Sequence, residues 1–189
     1  VRNVGPKPQP FDEDLGMAAI KPSGSHPAAA SAVVLNTTVN DNVLDGSGVG
    51  TGIEADVFSP EVLNFSADRN VVRHFNAGMV TYEDPGATLN GILTYNHLIS
   101  NDLGLQNLDG TLDVQLNTFA NTANADDNTA GNYYDRNCWS DFNGTPPYPV
   151  GGIGGNLDFH PNGDCGLETI VCPPDISVQC LADVPPCDP

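Results

Sequence analysis

The stretch Ala32-Val-Val-Leu-Asn-Thr-Thr-Val39, stopped by Asn40-Asp41-Asn42, decides how the rest of the chain is read. Its β-branched residues fit a pleated surface and disfavour helix, and the Asn/Asp run that ends it favours a turn. Downstream, apolar runs at 53–58, 62–65, 70–75, 78–82, 87–95 and 111–116 are each bounded by Gly, Pro, Asn or Asp. In the last of them Leu112, Val114 and Leu116 alternate with Asp113 and Gln115, the period-2 signature of a half-buried strand. Short strands at this spacing predict an all-β fold: an immunoglobulin-like or jelly-roll β-sandwich with long loops, stabilised by disulfides. One short helix is expected near 96–103, and no internal repeat is evident.

Composition narrows the function. Against 24 acidic side chains stand 6 basic ones, for a net charge of −18. Such a field repels nucleic acid and anionic membranes, which are bound through Lys and Arg. The acid is mostly Asp and comes with abundant Asn and Gly, a mixture suited to turns and poor for helices. The longest apolar stretch, 28–35, is too short to cross a bilayer. The Gly-rich run Asp45-Gly-Ser-Gly-Val-Gly-Thr-Gly52 reads as a flexible hairpin loop; a phosphate-cradling loop would need a following helix and usually a Lys.

Three segments emerge. Residues 1–31, with five prolines and half the basic residues (Arg2, Lys7 and Lys21), form an extended arm or linker. Residues 32–165 form the β-sandwich body, ending in the long Asn/Asp/aromatic loop 117–165. Residues 166–189 are a Cys-rich terminal strand. A cationic arm on an acidic body suits docking onto a neighbouring copy, with Arg2 and Lys7 as assembly residues.

Four of the five cysteines (Cys165, Cys172, Cys180 and Cys187) lie in the last quarter, with Cys138 upstream. This usage suits an oxidising extracellular compartment. The extended run between Cys172 and Cys180 spans roughly 26 Å, far beyond a disulfide's reach. Cys165 with Cys172 and Cys180 with Cys187, or either with Cys138, remain open pairings. Between Asp175 and Cys180 the pattern alternates, putting Ile176 and Val178 on one face of a strand open to strand addition. The run Cys172-Pro-Pro-Asp-Ile-Ser-Val-Gln-Cys180, following Asp164-Cys165-Gly166, resembles the opening strand of hyalin-repeat modules of extracellular adhesive proteins. Over 164–189 that resemblance implies an immunoglobulin-like sandwich and a role in adhesion, with no catalytic residues.

Oxygen-rich side chains in the 124–141 region make Asp126, Asp127 and Asp135 candidate Ca²⁺ ligands, although their spacing departs from the EF-hand order. Ca²⁺ is the one cofactor the sequence offers. Asn36, Asn64 and Asn143 open Asn-x-Ser/Thr glycosylation sequons. Asp158-Phe-His160 could orient an imidazole, yet no nucleophile accompanies it, and an enzyme is not expected. Trp139 beside Cys138 reads as core packed on a disulfide, with sugar stacking as the competing role. The expectation is a secreted structural module of an extracellular filament or adhesin, joined head-to-tail to other copies. A Ca²⁺-dependent carbohydrate-binding module that engages surface glycans is the alternative.

Overall fold

A computed structural model describes residues 18–20, 34–163 and 165. In chain order its strands are β1 (Ala18–Ile20), β2 (Val34–Asn40), β3 (Val43–Asp45), β4 (Thr51–Val57), β5 (Val62–Asp68), β6 (Val71–Arg73), β7 (Ala77–Glu83), β8 (Thr88–Thr94) and β9 (His97–Ile99). They continue with β10 (Leu103–Asn107), β11 (Thr111–Gln115), β12 (Thr118–Ala120), β13 (Ala123–Asp127), β14 (Tyr133–Asp135), β15 (Cys138–Trp139), β16 (Tyr148–Pro149) and β17 (Leu157–Asp158). The described residues contain no helix, so the all-β expectation stands; the helix expected near 96–103 is instead β9 and the start of β10.

The sandwich expectation is overturned. Strands pair in parallel with the strand three places later, in three sheets: A (β1-β4-β7-β10-β13), B (β16-β17-β14-β11-β8-β5-β2) and C (β15-β12-β9-β6-β3). Immunoglobulin and jelly-roll sandwiches are antiparallel. Here each strand turns a corner into a different sheet, and three sheets enclose one core as a parallel β-helix. The coils are unequal, which hid the repeat. Val34 pairs with Val62, 28 residues on, and Val62 with Thr88, 26 on. Asn90 then pairs with Thr111, 21 on, and Asp113 with Tyr133, 20 on. The Gly-rich 45–52 segment is accordingly a corner from β3 to β4, which lie in different sheets, and not a hairpin.

Residues facing inward stack coil on coil. One column runs Leu44, Val72, Leu98, Phe119, Trp139 in register through sheet C. Another runs Val39, Ala67, Leu93, Val114, Tyr134 through sheet B. All ten belong to the buried core; burial alternates with period 2 along β5 and β8, whereas every residue of β4 is buried.

The corner between sheets B and C is made by one residue of positive φ in each coil: Asp41 (55°), Arg69 (52°), Tyr95 (54°), Leu116 (58°) and Arg136 (55°). The asparagine that follows it joins a ladder inside the corner. Asn70 donates its backbone N–H and its Nδ2 to Asn96 Oδ1 at 3.0 and 2.9 Å, and Nδ2 also reaches Val39 O at 2.7 Å. Asn96 does the same to Asn117 Oδ1 and Ala67 O, and Asn117 to Asn137 Oδ1 and Leu93 O. Each amide thus satisfies donors and acceptors that the turn strips from the backbone ladder, where an unpaired buried group would be costly. A second ladder at the corner into sheet A runs from Phe75 N to Asn101 Oδ1 and from Asn101 N to Asn121 Oδ1. Glycine makes room for it: a Cβ on Gly104 would lie 2.5 Å from Asn121 Nδ2 and 2.4 Å from Asn124 O.

Candidate functional site

The two ends of the β-helix differ, and that difference is the most informative surface of the molecule. At the first coil, β2 and β3 are the terminal strands of their sheets, with no partner on their outer edge among the described residues. Leu35 and Thr37 face inward yet stay half-buried, whereas Leu63 and Phe65 beneath them are 1% and 3% exposed. Val34 and Val43 are 58% and 66% exposed there. The corner ladder is also open at this end. Asn42 donates its backbone N–H and Nδ2 to Asn70 Oδ1 at 3.1 and 3.0 Å, while its own Oδ1 accepts nothing among the described residues.

Salt bridges hold this coil to the next. Arg69 grips Asp41 through Nε and Nη2 at 2.7 and 3.0 Å, and Asp45 receives Arg73 and His74 Nδ1, the latter at 2.7 Å. The Arg69 hydrogen bond lowers the Asp41 carboxyl below its ordinary value, and the His74 hydrogen bond, with help from Arg73, lowers that of Asp45. These pairs tie the open coil to the one beneath it.

At the far end the corner ladder and the edge of sheet B are closed. The ladder ends on a carboxylate: Asp158 Oδ2 accepts Asn137 N, Asn137 Nδ2 and Trp139 Nε1 at 3.0, 3.1 and 3.0 Å, and its Oδ1 accepts His160 N at 3.0 Å. Tyr148 stacks on Trp139 with ring centroids 4.3 Å apart, continuing the inner column, and Trp139 is itself stacked on Phe119 at 4.4 Å. The strand that carries Tyr148, β16, runs antiparallel to β17 and puts Pro149 on the outermost edge, where it cannot donate a ladder bond. Burial and the hydrogen bond from its hydroxyl to Asp141 push the Tyr148 pKa up to about 12.

Behind this cap lies a buried carboxylate. Asp127 is fully buried and accepts from Asn107 Nδ2, Asn132 Nδ2, Tyr134 Oη and Asn156 Nδ2 at 2.8 to 3.0 Å. Burial first, and then the Asp127 charge, raise the Tyr134 phenol well above its ordinary value.

Two of the candidate calcium ligands, Asp127 and Asp135, are engaged in hydrogen bonds. The oxygens of Asp127 are filled by hydrogen-bond donors, and Asp126 precedes it on the opposite face of β13. Asp135 is held by Arg136 Nε at 2.9 Å and His160 Nδ1 at 2.6 Å, which depress its carboxyl pKa, the His160 bond most. Among the described residues no group of three or more His, Cys, Asp or Glu is placed to hold a metal ion. His160 therefore pairs through its ring with Asp135, not with the neighbouring Asp158.

Of the cysteine pairings left open, Cys138–Cys165 is formed, with Cα atoms 5.1 Å apart, next to the buried Trp139. Cys172, Cys180 and Cys187, the assembly residues Arg2, Lys7, Ile176 and Val178, and nearly all of the hyalin-like 164–189 stretch lie outside the described residues. Asn36 and Asn64 stand side by side on the outer face of sheet B, with Asn64 Nδ2 donating to Asn36 Oδ1 at 3.0 Å; Asn143 lies in a loop, its Oδ1 accepting Thr145 N. Sequence reading missed the ladder and with it the polarity of the two ends. The signal was there in Asn42, Asn70, Asn96, Asn117 and Asn137, whose spacings of 28, 26, 21 and 20 repeat those of the strands.

Comparison of the chain with protein-family models, with curated proteins and with solved structures finds no match.

Proposed function

We propose that the chain is a non-catalytic structural module of a secreted filament or adhesin, joined head-to-tail by strand addition at the open first coil. The observation that carries this reading is the asymmetry of the ends. Among the described residues a seven-residue strand without proline or lysine is left at one edge, whereas the other is closed by an antiparallel strand, a proline and a carboxylate. Natural edges are normally guarded by such devices, and an unguarded one is a template for another strand.

Because the far end is capped, coils cannot simply stack end on end, and the incoming piece must be a donated segment. Residues 175–180 supply one: alternating Ile176 and Val178 would extend the inner columns above Leu35 and Thr37. The polarity of the ladder adds a requirement, since Asn42 Oδ1 calls for an N–H from the arriving chain. The Cys138–Cys165 disulfide is in keeping with an oxidising, extracellular setting.

Electron microscopy of the full chain over a concentration series tests this reading, together with the variant Val178→Pro, which removes a ladder donor from the proposed donated strand. Wild-type protein forms filaments, and Val178→Pro stays dispersed with the melting temperature of dilute wild-type protein. Wild-type protein that remains monomeric at every concentration, or a variant that assembles as well as wild type, overturns it.

A further inference from the structure

The outer face of sheet B carries a second surface, built from side chains and separate from the β2 edge. A groove of about 650 Å³ crosses the strands here. Along one side runs an amide row: Asn36, Asn64 and Asn90 are in register on three successive coils, and Asn90 Nδ2 donates to Asn64 Oδ1 at 3.1 Å just as Asn64 does to Asn36. These mutual bonds leave each amide at least one further N–H and one further lone pair. Two residues along the strands, the parallel row runs Thr38, Ser66, Ile92, Asp113, Tyr133. In it Ile92 and Tyr133 are 52% and 53% exposed, two coils apart.

We propose that this groove binds an extended, neutral oligosaccharide lying along the coil axis. The chemistry selects that ligand in three steps. First, the groove is lined by no Lys or Arg and by one carboxylate, Asp113, in a chain of net charge −18, so anionic ligands are repelled. Second, a row of oriented amides beside an exposed aromatic ring and an aliphatic side chain matches a molecule with hydroxyls on its edges and C–H groups on its faces, which is a sugar ring. Third, the groove spans five coils at about 4.8 Å each, roughly 19 Å from first to last, which suits several linked sugars better than one. A protein partner fits less well. A peptide adding as a strand needs a sheet edge, and a flat interface needs a desolvated apolar centre that this amide row lacks. Calcium has no part in this site, and Trp139, fully buried, does not contribute.

The test is saturation-transfer difference NMR on the full chain, which tolerates assembly, with cellohexaose, xylohexaose, mannohexaose and maltohexaose as neutral probes and oligo-alginate as the anionic one. At least one neutral hexasaccharide gives transfer that EDTA leaves unchanged, Tyr133→Ala weakens its affinity by about tenfold or more, and Asn64→Asp weakens it too. Both side chains lie on the outer face, and unchanged circular dichroism verifies that the variants fold. The proposal is overturned by an absence of transfer to every neutral probe, by transfer to alginate alone, by equal affinity in Tyr133→Ala, or by an intact mass showing Asn36 and Asn64 already occupied by N-linked glycan. None of these outcomes depends on whether filaments form.

Discussion

Asn137 gives both its backbone N–H and its Nδ2 to a single oxygen of Asp158, and there the corner ladder stops. A carboxylate can only accept, so it suits the last rung and no other. Asp158→Ala leaves the Asn137 donors and Trp139 Nε1 buried without that partner and lowers unfolding free energy by about 3 kcal/mol or more. In mid-ladder the chemistry reverses: Asn117 Nδ2 donates to Leu93 O, Gln115 O and Asn137 Oδ1. Asn117→Asp sets a carboxylate against three acceptors and destabilises more than Asn117→Ala, which itself costs about 2–4 kcal/mol. Urea unfolding of the three variants checks the order.

Tyr95 holds φ at 54° with its side chain 52% exposed. A tyrosine is strained in this left-handed region, whereas asparagine tolerates it, and little packing is lost on replacement. Tyr95→Asn therefore raises stability by about 0.5–1 kcal/mol, read as an increase in the denaturant midpoint at constant slope.

Asp135 has its pKa depressed by the His160 hydrogen bond, and then by Arg136. A depressed carboxylate contributes stability above its unfolded value, near 3.9, and loses it as pH falls through the lower folded value. The stability difference between wild type and Asp135→Asn is thus full at about pH 6 and shrinks below about pH 4, measured by urea unfolding across that range.

Tyr134 and Tyr148 respond at the other extreme. Their phenols are raised, Tyr134 by burial and the Asp127 charge and Tyr148 to about 12 by burial and its Asp141 hydrogen bond. A raised phenol stabilises the fold below its unfolded value, near 10, and that stabilisation is lost as pH rises through the folded value. Phenolate absorbance shows Tyr134 and Tyr148 silent until the alkaline unfolding step.

The strands were legible because Leu112 and Val114 alternate with Asp113 and Gln115, and period-2 burial leaves the same mark in any half-buried sheet. That mark does not distinguish parallel from antiparallel pairing, so a sandwich and a β-helix read alike. The corners were illegible for a physical reason: Arg69, Tyr95, Leu116 and Arg136 occupy left-handed conformations without the Gly or Asn that normally announces one. The ladder asparagines looked like turn residues, which they are, and their unequal spacing of 20 to 28 residues disguised their register. Successive strand residues face opposite ways, which sets Asp126 and Asp127 on the two faces of β13. Trp139 beside Cys138 reads as core, and its place between Phe119 and Tyr148 is core.

Strand addition at β2 is tested most directly by hydrogen–deuterium exchange of the amides of Val34–Asn40, measured on dilute and on concentrated full-length protein. The account predicts that β2 exchanges much faster than β5 when dilute and acquires β5-like protection on concentration, with β8 and β11 unchanged. Equal exchange of β2 at all concentrations would contradict it.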